Sequence, residues 1–231
     1  MRIIAHRGGT DHYPELTLAA AKHSIELGAD VVEMDIRFTM DGIPVISHDE
    51  DANYLFGVDR RISDMTYEQF SQLKFKEAPS YRPHSLEEIL SSGVAPILLH
   101  IKEGGEKLRH ILRLIHQFGY EDNVIMGVEK LEDVHTVKDF HPAIKTLAFM
   151  PDPSLLKDYL RSDVEVIRLW ETWLEHDSVL QIKQAGKEVW IMSGDLYGVI
   201  GQTDPAHLAL WKQWGIDGVL IDRVQDYTPY K

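Results

Sequence analysis

The chain contains no cysteine. That excludes disulfides and thiolate metal sites, and it leaves the redox compartment unread. No apolar run approaches the length of a membrane span, so an integral membrane segment is not expected. The opening "MRIIAHRGG" reaches a His-Arg pair without the long apolar core of a signal peptide, and the cytoplasm is the expected location. Basic residues are scarce: 24 Lys and Arg face 37 Asp and Glu, for a formal net charge of −13. This argues against broad adhesion to nucleic acid or an anionic membrane, while leaving room for a local basic site. No low-complexity tract, repeat or Pro/Gly/Ser-rich linker divides the 231 residues, so a single domain over 1–231 is expected. "HRGG" and "EGGE" match no Walker or dinucleotide fingerprint.

What the sequence does contain is a recurring unit, a short apolar strand followed by a helical pattern. The strand segments are "RIIAH", "VVEMDI", "PILLHI", "NVIMGV", "KTLAFM", "VEVIRLW", "VWIMS" and "GVLID". Helical spacing appears in "LTLAAAKHSIELG", "SLEEILSSG", "EKLRHILRLIHQFG", "SVLQIKQAG" and "PAHLALWKQWG". The second of these opens on a Ser-x-x-Glu capping signature. Eight β–α alternations in this length predict a (β/α)8 TIM barrel rather than an open doubly wound sheet. "IPVISH" reads as an extra strand after the second, and about residues 49–84 as a small insertion over the barrel mouth. Trp190, Trp211 and Trp214 fall in strand or helix patterns and are expected to be buried.

Barrel chemistry sits at the C-terminal ends of the strands, which turns the strand list into a site list. The ends carry His6-Arg7, Glu33-x-Asp35, His100-x-Lys102, Glu129, Trp170-Glu171, Ser193 and Asp222, with His48 closing the extra strand. Glu33 and Asp35 share a face, roughly 7 Å apart at about 3.3 Å per residue. Either their strand emerges into solvent, or a divalent cation lies between two carboxylates that would otherwise repel. Arg7 suits a phosphate or carboxylate and His6 suits proton transfer; the alternative is a satisfied core histidine beside a structural ion pair. Together, two histidines, a carboxylate pair and an arginine suit metal-assisted phosphodiester cleavage. The histidines away from strand ends are assigned to surface or helix packing.

These residues resemble the glycerophosphodiester phosphodiesterase family. The resemblance is carried by "IIAHRGGTDHYPELTLAA" and "LGADVVEMDIRFTMDGIPVISHDE", more weakly by "PHSLEEIL" and "LLHIK", and again by "WGIDGVLIDR". It implies a barrel enzyme that hydrolyses glycerophosphodiesters to an alcohol and sn-glycerol 3-phosphate with one divalent metal ion, Mg or Ca. Carried over by position, His6 and His48 would be the acid–base pair, and Glu33 and Asp35 would hold the metal. Arg7 and Lys102 would contact phosphate, and Glu15, in "PELT", would support the substrate site. The partner would be a small-molecule phosphodiester; the oligomeric state is not read.

Three departures from the family pattern stand out. Leu16 occupies the place of an Asn, and "VWIMSGD" that of Trp-Thr-Val-Asn. His100 stands where the family has the Glu that is the third metal ligand. If His100 ligates, preference moves toward Mn or Zn, since imidazole is a poor ligand for Mg or Ca. A second expectation is that Glu129 or Glu171 compensates, with Glu103 facing away. A weakly active phosphodiester-binding protein, or a phosphodiesterase for a lysophospholipid or sugar phosphodiester, are the other readings.

Overall fold

The computed structural model of the chain describes residues 1–194 and 198–231. Nine strands are present among them: β1 (Arg2–Ala5), β2 (Val31–Phe38), β3 (Pro44–Ile46), β4 (Ile97–Ile101), β5 (Val124–Val128), β6 (Lys145–Ala148), β7 (Val166–Trp170), β8 (Glu188–Met192) and β9 (Gly218–Ile221). They pair in the order β1-β9-β8-β7-β6-β5-β4-β2, and an additional β1–β2 pairing closes the ring. All eight ring strands are parallel, while β3 lies antiparallel on β2. The chain therefore folds as a (β/α)8 barrel, as the alternation predicted.

Period-two alternation sorts each strand into two faces. One set of residues, including Ile4, Val31, Leu98, Ile125, Leu147, Val166, Trp190 and Leu220, forms the packed interior of the barrel. The other set packs against the surrounding helices, among them Leu18–Glu26, Leu108–Gln117 and Pro205–Trp214. Helix starts follow local chemistry. The Thr17 side chain accepts from Ala20 N, and Ser85 and Glu88 form the reciprocal capping box that the sequence announces.

Three readings are corrected or extended. Trp214 is only half-buried, edge-on to His176 at 5.4 Å, because its position sits at the end of its helix; Trp190 and Trp211 are buried. Helices also form at Leu131–Phe140 and Leu156–Arg161, where the sequence shows no clear helical spacing. Both are short or rich in His, Thr and Asp, so their apolar stripes are thin. The segment after β3 gathers Ala52, Phe56, Ile62, Met65, Phe70 and Phe75 into an apolar cluster of its own with Val45. Asp195 of "VWIMSGD" lies outside the described residues. No helix among the described residues is long and apolar enough to cross a membrane.

Candidate active site

Continuing each interior row by two residues toward the C-terminal end of its strand reaches the mouth. On β2 the row is Val31, Glu33, Asp35; on β4 it is Leu98, His100, Lys102. On β7 it is Val166, Arg168, Trp170, and on β9 it runs through Leu220 to Asp222. Register then aligns Asp35 with His100, and His100 with Gly127. The result is a cavity of about 270 Å³ whose lining includes His6, Arg7, Glu33, Asp35, His48, His100 and Lys102. Those sequence-nominated residues come together, and Glu15 stands directly behind Arg7.

The β1 end is the tightest piece of backbone. Arg7 (φ 50) and Leu16 (φ 58) both occupy the left-handed region, at about 1–2 kcal/mol each for residues with a Cβ. Leu16 N donates to Arg7 O at 2.7 Å, clasping the two strained residues together. This turn aims Arg7 N at Glu33 Oε2, 2.8 Å away. The guanidinium donates from Nη1 to Glu15 Oε1 at 3.1 Å, and its Nε is 4.0 Å from Asp35 Oδ2. Leu16 packs its side chain into the core rather than lining the site.

Both candidate acid–base histidines are anchored alike. His6 Nδ1 is 2.7 Å from Asp222 Oδ1, and His48 Nδ1 is 2.7 Å from Asp49 Oδ1. A carboxylate only accepts, so each Nδ1 carries the proton and Nε2 is the atom left to titrate. Their surroundings diverge. Burial works against a charged His6, but the hydrogen bond to Asp222 and the charge of Glu33 outweigh it and raise its pKa. At His48, burial, aided by Lys102 and Arg7, outweighs Asp35 and lowers it. Asp222 was visible as a strand end; its partnership with His6 was not read. Gly201 makes that partnership possible. At φ +85 it lies flat against the Asp222 carboxylate, where a Cβ would sit 2.1 Å from Cγ.

Between the histidines lies the buried acidic pair. Burial, then the charge of Asp35, pushes Glu33 up. Asp35 is held well below the usual carboxylate range: burial opposes its charge, but the hydrogen bond with His100 and the charge of Lys102 prevail. His100 Nδ1 and Lys102 Nζ each lie 3.0 Å from Asp35 Oδ1. Glu33, Asp35 and His100 each offer a ligand atom, all within 4.8 Å of one another. Asp35 Oδ2 and His100 Nε2 are buried with no hydrogen-bond partner among the described residues. With the imidazole neutral and its proton on Nε2, toward Glu129, the Nδ1 lone pair faces both carboxylates, 3.8 Å from Glu33 Oε1 and 3.0 Å from Asp35 Oδ1, and such a set fits a divalent cation.

Of the compensating carboxylates, Glu129 Oε1 approaches His100 Nε2 to 3.9 Å. Glu171 does not take part. It opens the 3-10 turn Glu171–Trp173 that follows β7 and is buried there, accepting from Gly194 N at 2.7 Å and Thr203 Oγ1 at 2.8 Å. Glu103 faces away from His100, toward Arg37 and Lys107.

The far wall was not anticipated. Phe149 stacks flat on His100, with ring centroids 3.5 Å apart and planes at 9°. Gly127 leaves the room for it; a Cβ there would meet Phe149 Cε2 at 2.4 Å. Beside Phe149 are Trp170, Met192 and the buried Arg168. A wider groove of about 550 Å³, lined by Pro14, Glu15, Tyr54, Phe75 and Tyr81 among others, adjoins the site at Glu15.

Comparison with known proteins matches residues 6–175 to the glycerophosphoryl diester phosphodiesterase family. The chain belongs to that family. A glycerophosphodiester phosphodiesterase of Caldanaerobacter subterraneus subsp. tengcongensis is 32% identical over 158 residues, covering 62% of this chain and 64% of that protein. A lysophospholipase D of Mus musculus is 29% identical over 143 residues, covering 56% of this chain and 43% of that one. The chain thus spans less than two thirds of the length of these curated relatives. Among solved structures, an Oleispira antarctica phosphodiesterase in complex with the product sn-glycerol-3-phosphate superposes with a TM-score of 0.84 at 22% identity, over 100% of this chain and 96% of that one.

Proposed function

We propose that this chain, acting as one barrel domain with residues 49–84 as a mouth insertion, hydrolyses glycerophosphodiesters to an alcohol and sn-glycerol 3-phosphate. One observation carries the reading. Two histidines, each tethered at Nδ1 to a carboxylate, line the same cavity as Arg7, Lys102 and a buried Glu33–Asp35–His100 cluster. The Oleispira relative's product complex and the name of the Caldanaerobacter relative point to the same substrate class.

Glu33, Asp35 and His100 would hold the divalent ion, which when bound offsets charge at phosphorus and on the oxygens around it. Arg7 and Lys102 orient the diester phosphate, their own charges balanced by Glu15 and Asp35. His48, kept neutral by its surroundings, removes a proton from the attacking hydroxyl of water. If the substrate's own glycerol hydroxyl attacks instead, a cyclic phosphate forms first, and water then opens it to sn-glycerol 3-phosphate with the two histidines exchanging roles. His6, kept protonated by Asp222, donates a proton to the departing alkoxide. Divergent pKa values make the two imidazoles inequivalent without any difference in residue type.

The reading is tested by assaying release of glycerol 3-phosphate from glycerophosphocholine by the wild type and Glu33→Ala, with Mg, Ca, Mn and Zn supplied in turn. Metal-dependent turnover abolished by Glu33→Ala is expected; ligand-dependent thermal stabilisation without turnover would instead make this a binding protein. Calorimetric metal binding by His100→Ala gives a second readout. Loss of Mn or Zn affinity is expected, and unchanged affinity removes His100 from the ligand set.

The groove beside Glu15 favours one second reading. Its aromatic lining suits an apolar chain on the alcohol or the glycerol, as in a lysophospholipid. A substrate panel in which lysophospholipids outpace glycerophosphocholine would replace the first reading with this one.

A further inference from the structure

Arg168 is a buried charge that the chemistry above leaves unused. It sits in the body of β7, 5% exposed, with its row facing the cavity between Val166 and Trp170. Nε and Nη1 are buried without a hydrogen-bond partner, and Arg168 makes no ion pair among the described residues. Arg7, which lines the same cavity, shows the ordinary solution, with a carboxylate directly on its guanidinium. Arg168 has aromatic rings instead. Its Cζ lies 4.3 Å from the Trp170 ring centroid and 5.2 Å from that of Phe149. Ring faces tolerate the charge, but they satisfy none of the in-plane N–H donors. Burial draws its pKa down to about 10, against the opposing pull of Glu129 and Glu33, so it remains a cation at neutral pH.

A buried cation without a carboxylate destabilises the protein that carries it. Side chains of this kind persist where function needs an unspent donor. The position in the ring says what that donor meets. In the strand order, β7 lies directly across the barrel from β2, which carries Glu33 and Asp35. Arg7 and Lys102 approach the cavity from β1 and β4, the two neighbours of β2. An anion held by them presents its remaining oxygens to β7.

We propose that Arg168 is a substrate-binding residue that donates to an anionic oxygen of the bound phosphodiester from the wall facing Arg7 and Lys102. The proposal deepens the phosphodiesterase reading and rests on it only for the identity of the anion. That oxygen belongs either to the diester phosphate or to an acidic group on its alcohol.

The test compares wild type, Arg168→Met and Arg168→Lys in the same metal-containing buffer. Calorimetric titration with inorganic phosphate and with sn-glycerol 3-phosphate is run beside thermal melts. Arg168→Met is expected to keep or raise Tm and, for a contact on the phosphate, to bind both ligands at least tenfold more weakly, with Arg168→Lys between it and the wild type. A fall in Tm with phosphate affinity and the KM for glycerophosphoserine both unchanged makes Arg168 structural and overturns the proposal. So does an Arg168→Met that cannot fold while Arg168→Lys binds like wild type. Sources of the anion separate in KM values. An equal rise for glycerophosphocholine and glycerophosphoserine places the contact on the diester phosphate, and a rise confined to glycerophosphoserine places it on the alcohol's carboxylate. If no diester is turned over yet phosphate binding still depends on Arg168, the hydrolase reading falls and this assignment stands. If turnover requires Glu33 but neither phosphate affinity nor the KM for glycerophosphoserine depends on Arg168, the reverse holds.

Discussion

On the side of the barrel mouth built by β1, β2 and β4, charges come in matched sets. Asp222 holds His6, Glu15 holds Arg7, Asp49 holds His48, and Asp35 draws in His100 and Lys102. On the side built by β6, β7 and β8, Phe149, Trp170 and Met192 surround one cation, Arg168, with no ion-pair partner among the described residues. The first wall is organised before substrate arrives, because each side chain is already fixed by another. The second is apolar, with two rings close to the guanidinium and buried donors left unspent. A site with only the first wall would spend much of its positive charge on its own carboxylates.

The sharpest way to break this comparison is to remove the proton carriers of the first wall. His6→Asn and His48→Asn are each expected to lower kcat by about 10²–10⁴-fold, the usual worth of a positioned acid or base. Glycerol 3-phosphate affinity measured by calorimetry should stay nearly constant. If affinity collapses while kcat does not, the histidines bind rather than transfer protons, and the first wall works as the second does.

A smaller effect is expected from loosening one tether. Asp222→Asn keeps the shape but removes the charge that, with Glu33, holds the His6 pKa up. Its expected cost is about 10–100-fold in kcat/KM, as for other orienting partners of a functional histidine. The direction of the pH change is the stricter check. His6 acts protonated, so activity falls as pH rises through its pKa; lowering that pKa moves the alkaline limb of the kcat/KM profile to lower pH. The acidic limb, set by His48 becoming charged, should stay where it is. An alkaline limb that does not move removes His6 from the role of acid.

How far these walls could be read in advance differs for a physical reason. The first wall lies largely within the first fifty residues and His100–Lys102, where polar side chains interrupt apolar strands at their ends. That interruption is visible without coordinates, because a charged residue at a buried position is costly and therefore informative. The barrel followed from the same strands, since eight apolar segments alternating with helical stripes close in few ways. Arg168 was overlooked because "VEVIRLW" reads as one more strand, and a lone Arg inside it could face either layer. Parity held the missing signal: with Trp170 at the mouth, Arg168 shares its face. The pairing of His6 with Asp222 spans nearly the whole chain and depends on β1 and β9 being neighbours. Gly201, which makes space for that carboxylate, carries no local mark distinguishing it from any turn glycine.

The smallest expected effect probes the seam between the walls. Phe149 touches both, lying flat on His100 and beside Arg168. It reaches that place because Gly127 offers no side chain. In Gly127→Ala the new Cβ would stand 2.4 Å and 2.9 Å from two Phe149 ring atoms and 3.1 Å from Leu99 O. The Leu99 carbonyl belongs to the β4 backbone and yields little, so the ring must shift. Overpacking of this kind costs about 1–3 kcal/mol, or roughly 2–12 °C in Tm for a domain of this size. A shifted ring no longer covers His100, and it moves away from the guanidinium beside it. Metal affinity and phosphate affinity should therefore weaken together, each by less than about tenfold, since neither set of ligand atoms is removed. Gly127→Ala with Phe149→Leu relieves the clash without restoring the stack. If that double variant regains Tm but neither affinity, Phe149 couples the two walls; if it regains all three, the walls act independently and Phe149 is only packing.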